Sequence, residues 1–192
     1  MSTAFDIDGL VHAILTCVTA GPGLGFNRAV LFLPNECGDE LVATMAIGPA
    51  TAEEAQRTWA RMASRPRSLA ELLERTASEA KSGLSTLVGG LTIPLAPLRT
   101  ADGARNALLE AFYAREVRKI VDAETLDGLP MRLREAFAGT EVVCVPLLAK
   151  ERAIGLLIAD NAFNGEPITD DRIQQLELLA LLSGLALDNA RI

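Results

Sequence analysis

The chain has 192 residues, 49% of them apolar, and a formal net charge of −7 with a pI near 4.8. That length and apolar content suit one packed domain, and an acidic balance without a Lys/Arg-rich run argues against nucleic acid, whose phosphates require a clustered basic surface. No apolar run reaches the roughly 18 residues of a membrane span, the N-terminus lacks the basic-then-apolar order of a signal peptide, and Cys17, Cys37 and Cys144 have no CxxC or Cys/His spacing, so a cytoplasmic location with no zinc site and no membrane contact is expected.

In chain order, Ile7, Leu10, Val11, Ile14, Leu15 and Val18 recur at three- and four-residue steps and predict a helix over residues 5–20, stopped by Gly21-Pro22-Gly23. Cys17 shares that helix as a small core hydrophobe. His12, the one histidine, lies off the apolar stripe and is expected to face solvent. Phe26 to Leu33 and Glu40 to Ile47 are β-rich runs joined by the turn residues Pro34-Asn35-Glu36-Cys37-Gly38-Asp39, a hairpin.

Two capping boxes follow, Thr51…Glu54 and Ser68…Glu71, each opening a helix. Ala52, Ala55, Trp59 and Met62 form the apolar stripe of the first, with Trp59 as a core anchor, and Leu69, Leu72, Leu73 and Ala77 that of the second. Arg65 and Arg67 around Pro66 read as a solvated turn between them. From Ser82 to Gly103 the periodicity dissolves into a Gly- and Pro-rich loop in which only Leu91 to Leu95 is extended. A helix over Asn106 to Arg115, a short strand over Val117 to Val121 and a helix over Pro130 to Phe137 complete the middle.

The last 50 residues hold two strands apolar on nearly every position, joined by the tight turn Ala149-Lys150-Glu151, then a polar loop and a long helix. Strands of that kind belong to a sheet covered on both faces. Pro146 cannot donate a ladder hydrogen bond, which predicts a bulge or a locally unpaired edge at that point. The final helix, over 169–192, opens on Thr169, Asp170 and Asp171 as cap and dipole partners. It carries two apolar stripes, one with Ile173, Leu176, Ala180, Leu187 and Ala190, the other with Leu178, Leu181, Leu182, Leu185 and Ile192. A helix apolar on two sides must bury both.

The closing phrases Ile154-Gly155-Leu156-Leu157-Ile158-Ala159-Asp160-Asn161, Pro167-Ile168-Thr169-Asp170-Asp171 and Gly184-Leu185-Ala186-Leu187-Asp188-Asn189-Ala190-Arg191 resemble the GAF domains, small-molecule sensor modules of signalling proteins. Leu24 to Leu33 looks like that family's first strand and Cys144-Val145-Pro146-Leu147 like its penultimate one. The resemblance implies an α+β fold for residues 1–192 as one domain: a central antiparallel sheet of five or six strands, terminal helices on one face, and pocket-forming helices and loops on the other, with sheet and pocket region over 26–160.

The same resemblance implies a ligand pocket between sheet and middle segment, for which Met45 or Trp59, Phe112, Tyr113 and Cys144 are the candidates. It implies an unidentified small-molecule ligand, a homodimer through the terminal helices, and an output domain such as a histidine kinase. In that dimer the second stripe of the last helix, interrupted at Asn189, would meet an exposed stripe of Ile7, Leu10, Ile14 and Cys17 on the first. The lack of a Gly or Pro stop at Ile192 suggests that the helix continues into the output domain.

The cofactor is left unknown. Cyclic-nucleotide-binding members carry an Asn-Lys pair where this chain has Asn161-Ala162, bilin-binding members a Cys-His pair that is absent, and haem-binding members a histidine, whereas His12 lies in the opening helix. Nothing assembles a catalytic constellation: there is no phosphate loop, GxSxG or HExxH. A ligand-free dimerisation module is the alternative, and a free methionine sulfoxide reductase a third reading, for which Cys37 and Cys144 are the available thiols.

Overall fold

The computed structural model describes residues 6–75, 79, 81–96, 106–121 and 129–191. Six strands form one sheet: β1 (Arg28–Pro34), β2 (Glu40–Ile47), β3 (Thr92–Pro94), β4 (Arg118–Ile120), β5 (Val142–Ala149) and β6 (Arg152–Asp160), in the order β3-β2-β1-β6-β5-β4 with every neighbouring pair antiparallel. Strands β1, β5 and β6 are buried almost throughout, because both sheet faces are covered.

The two-residue period of a strand sorts the side chains. Val30, Phe32, Cys144, Leu156 and Ile158 face one core, under α4 (Gly83–Val88), α5 (Ala107–Ala114) and α6 (Met131–Phe137). Ala29, Leu31, Val143, Val145 and Leu157 face the other, under α1 (Ile7–Thr19) and α7 (Asp170–Ala190). Both terminal helices therefore lie on one face, as the sequence predicts. Helix α7 seats its Ile173, Leu176, Ala180 and Leu187 stripe on the sheet, and it comes so close that a Cβ at Gly184 would stand 2.2 Å from the carbonyl oxygen of Leu148. The second stripe stays in solvent, with Leu178, Leu181, Leu182 and Leu185 exposed.

The remaining helices, α2 (Ala52–Ser64) and α3 (Leu69–Leu73), leave the α4–α6 layer, and α3 packs on α1. Helix α2 buries only Ala55, so Trp59 and Met62 are exposed instead of anchoring a core. Ala77 and Ile192, placed on apolar stripes by the sequence, lie outside the described residues.

Local chemistry explains where elements begin and end. Ser68 and Glu71 form the predicted capping box of α3. At α2, Thr51 accepts from the Glu54 amide, but the Glu54 side chain caps other groups. Helix α4 falls where a loop is predicted: Ser82 and Ser85 make a capping box outside the two that the sequence predicts, and Leu84 and Val88, four apart, bury together. Six residues are too few to establish a helical period. Pro146 keeps its register opposite Leu156. Strand β4 ends opposite Cys144, so Pro146 sits on an edge stretch where no donor is required, and the irregularity falls at Leu147/Leu148. The β5–β6 turn has φ of 48° at Lys150 and 65° at Glu151, the backbone of a two-residue I′ hairpin made without glycine.

Two expectations for α1 are corrected. Ile14 is buried, and Ile7 and Leu10 pack against the same core as α7, so its stripe is spent inside the domain and is not free for a partner. His12 is 3% exposed and not solvent-facing, because α3 packs over that side of α1.

Candidate cleft between the first helix and the helical excursion

The departure of α2 and α3 from the sheet opens a cleft of about 740 Å³. Its inner wall is the side of α1 that the sheet does not use. With Val11, Leu15 and Val18 turned to the core, the helical period brings His12, Thr16 and Thr19 to the cleft. The Nε2 of His12 lies 3.4 Å from the Thr16 hydroxyl, and Thr19 donates back to the Leu15 carbonyl at 2.9 Å. Burial lowers the His12 pKa from its usual range, and the guanidinium of Arg75 acts in the same direction, so the ring is neutral at pH 7.

The outer wall is α2, which presents Glu54, Arg57, Thr58, Arg61 and Met62 at three- and four-residue spacing, with Trp59 at the lip. Helix α2 is held at its start by Glu54, whose carboxylate accepts from the Ala50 amide and from the Gly83 amide, both at 2.8 Å. Ser82 accepts in turn from the Gly48 amide at 3.2 Å. One carboxylate and one hydroxyl thus tie the end of β2 to the starts of α2 and α4. Gly48 has φ of 134°, and a Cβ there would meet the backbone of Asn27 and Arg28 within 2.9 Å, so this floor position excludes side chains.

The floor continues through Phe26, Asn27 and Asn164. The Asn27 side-chain oxygen accepts from the amides of Phe163 at 2.9 Å and Asn164 at 3.0 Å, and Asn161 accepts from the Asn27 amide at 3.3 Å. The cleft floor is therefore bonded to the loop that leads into α7. Beneath it, Arg28 and Asp160 form a buried ion pair, with the guanidinium 4.7 Å from the Phe137 ring centroid and 5.1 Å from that of Phe163.

Of the residues proposed from sequence, only Trp59 lines this cleft. Met45 faces the α1 and α7 core, on the opposite side of the sheet from Cys144. Cys144 and Phe112 are packed in the core under α4–α6; Phe112 meets Tyr113 edge-on at 5.5 Å, and the Tyr113 hydroxyl donates to the Leu95 carbonyl. Tyr113 is 46% exposed. Among the described residues the void under α5 and α6 is about 10 Å³, no more than one water's space. The five residues do not converge on one cavity, because strand alternation separates Met45 from Cys144 and large apolar side chains fill the space beside Phe112.

The cleft residues carried weak signals. His12, Thr16 and Thr19 share a helical face, and Arg57 and Arg61 are four apart, but nothing local says that α2 crosses to face α1. Chemically the cleft can bind and orient a polar ligand. Among the described residues no carboxylate orients His12, and no group of three or more His, Cys, Asp or Glu is placed to hold a metal.

Comparison with known proteins places this architecture. The GAF domain family model matches residues 13–187, and the chain belongs to that family. Among solved structures it is similar to residues 122–287 of a methyl-accepting chemotaxis protein, at 17% identity and a TM-score of 0.60, covering 97% of this chain and 91% of that one. It is also similar to the second GAF domain of DevS from Mycobacterium smegmatis, at 18% identity and a TM-score of 0.56 with 95% of each chain covered. A type II free methionine-R-sulfoxide reductase from Thermoplasma acidophilum matches at 10% identity and a TM-score of 0.56, over 98% and 96%. No curated protein matches the chain. At these identities the likenesses describe the fold.

Proposed function

We propose that this GAF domain is the small-molecule-sensing regulatory part of a signal transduction protein, with the cleft between α1 and α2 as its ligand site and the terminal helices as its output. One observation carries the reading. The cleft is walled by α1, floored by Asn27 and Asn164, and joined through Asn27 to the loop that leads into α7, so a bound molecule would touch α1 directly and α7 through that loop. Helix α7 then offers Leu178, Leu181, Leu182 and Leu185 to a second copy. The likeness to a chemotaxis protein supports a signalling role; an output domain such as a histidine kinase and a cytoplasmic setting complete the reading. Among the described residues no helix is long and apolar enough to cross a membrane.

One alternative, a ligand-free dimerisation module, is supported by the close packing around Cys144 among the described residues, where the void under α5 and α6 is about 10 Å³. Against a reductase, Cys144 is fully buried while Cys37 stands exposed at the tip of the β1–β2 hairpin, so the two thiols do not share a reaction site. Hydrogen exchange tests the relay. Adding the low-molecular-weight fraction of a cell extract should slow amide exchange in α1 and in α7 together. Slowing confined to α2 and α3, or nowhere, sinks it.

A further inference from the structure

The charge of the cleft narrows its ligand class, an inference that rests on the sensing reading above. The chain is acidic overall, yet Arg57, Arg61, Arg75 and Lys81, four of its 18 basic side chains, border this one opening. The single carboxylate among them, Glu54, already spends both oxygens on the Ala50 and Gly83 amides. Among the described residues none of the four cations is in an ion pair. Arg57 and Arg61 stand one turn apart on α2, where like charges repel, and a bound anion would relieve that repulsion.

A second observation points the same way from the other wall. His12 is 97% shielded from solvent in the free domain, and its one hydrogen bond among the described residues is the long one to Thr16. Such a ring in a cleft has capacity left to donate to an acceptor. Trp59, Met62 and Leu72 add apolar surface beside the cations, and the volume suits an organic molecule of cofactor size.

We propose that the cleft binds a polyanionic organic molecule, bearing phosphate groups or several carboxylates, with its acidic end against Arg57, Arg61 and Lys81 and its ring or chain on Trp59 and Met62. Arginine forks match the paired oxygens of either group.

Calorimetric titration with pyrophosphate, ATP and citrate at matched ionic strength, with adenosine as neutral control, tests this. Saturable binding of at least one polyanion is expected. R61Q and R57Q, on a helix that buries only Ala55, should each weaken it tenfold or more, the scale of a charge-assisted hydrogen bond, while R152Q, outside the cleft, leaves it unchanged. Pyrophosphate and ATP against citrate separate phosphate from carboxylate recognition. No saturable binding by any of the three polyanions, or equal weakening by R152Q and R61Q, overturns the proposal. A neutral molecule released from the purified protein overturns it while leaving the sensing role intact, so the two failures are distinguishable.

Discussion

Arg28 and Asp160, paired across β1 and β6, hold a bidentate ion pair with both side chains shut away from solvent, Arg28 donating from Nε to Oδ1 at 3.0 Å and from Nη2 to Oδ2. The remaining acceptor capacity of Asp160 is used as well: the Thr140 hydroxyl donates to Oδ2 at 3.1 Å and the Ala162 amide to Oδ1 at 3.4 Å. The guanidinium faces lie against Phe137 and Phe163. One pair thus joins two strands, the end of α6 and the loop before α7. Desolvating both charges costs several kcal/mol per ion, which the pairing and added hydrogen bonds offset.

Removing one partner leaves a buried charge. D160N should therefore lose about 3 kcal/mol or more in urea unfolding, and the double replacement R28M/D160L should regain at least half of that. A loss below about 0.5 kcal/mol for D160N, the range of an ordinary surface change, would contradict the pair's structural role.

The fold was largely legible in the sequence because the strongest signals were local and periodic. The unbroken apolar runs of β5 and β6, the two stripes of α7, and Ser68 with Glu71 all specify their own elements. The site was not legible, for a physical reason. Its walls come from α1 and α2, roughly 40 residues apart in sequence, and their meeting depends on where α3 docks. The Arg28–Asp160 pair was hidden in the same way: a basic residue opening one strand and an acidic one closing another declare themselves only once β1 and β6 are neighbours.

The proposed dimer rests on the outer face of α7. L182K/L185K alters two exposed side chains and should leave the far-ultraviolet spectrum and unfolding midpoint nearly unchanged while giving a monomer in sedimentation. An unmodified protein already monomeric at high micromolar concentration removes the dimer proposal. Because the first helix spends its stripe inside the domain, substitutions at Ile14 should unfold the protein and not merely separate copies.

Stability should depend on pH through His12. Its folded pKa is lowered by burial and by Arg75, so between that lowered value and the ordinary value near 6.5 the unfolded chain binds the extra proton. Stability contributed by the neutral ring is present above pH 6.5 and is lost as pH falls toward the lowered pKa. Urea midpoints from pH 7.5 to 5.5 should decline for the wild type and flatten in H12Q. An equal slope in both would place the dependence elsewhere.

The three thiols should separate by accessibility. Cys37 is exposed, Cys17 half-buried and Cys144 buried; burial raises the pKa of Cys17, and that of Cys144 much further. Titration with a disulfide reagent should give one fast group, one slow group and a third that reacts only on unfolding. Fast reaction of two thiols, with turnover of free methionine sulfoxide, would revive the reductase reading.

The most direct test of sensing through the cleft is mass spectrometry of the small molecules that the purified protein releases on denaturation, compared with a variant whose cleft is filled. Thr58 faces the cleft from α2 and is only half-buried, so T58W should occupy the space while leaving the fold intact by circular dichroism. The account predicts a defined mass released from the wild type and missing from T58W. The same mass from both proteins, or none from either, would contradict it.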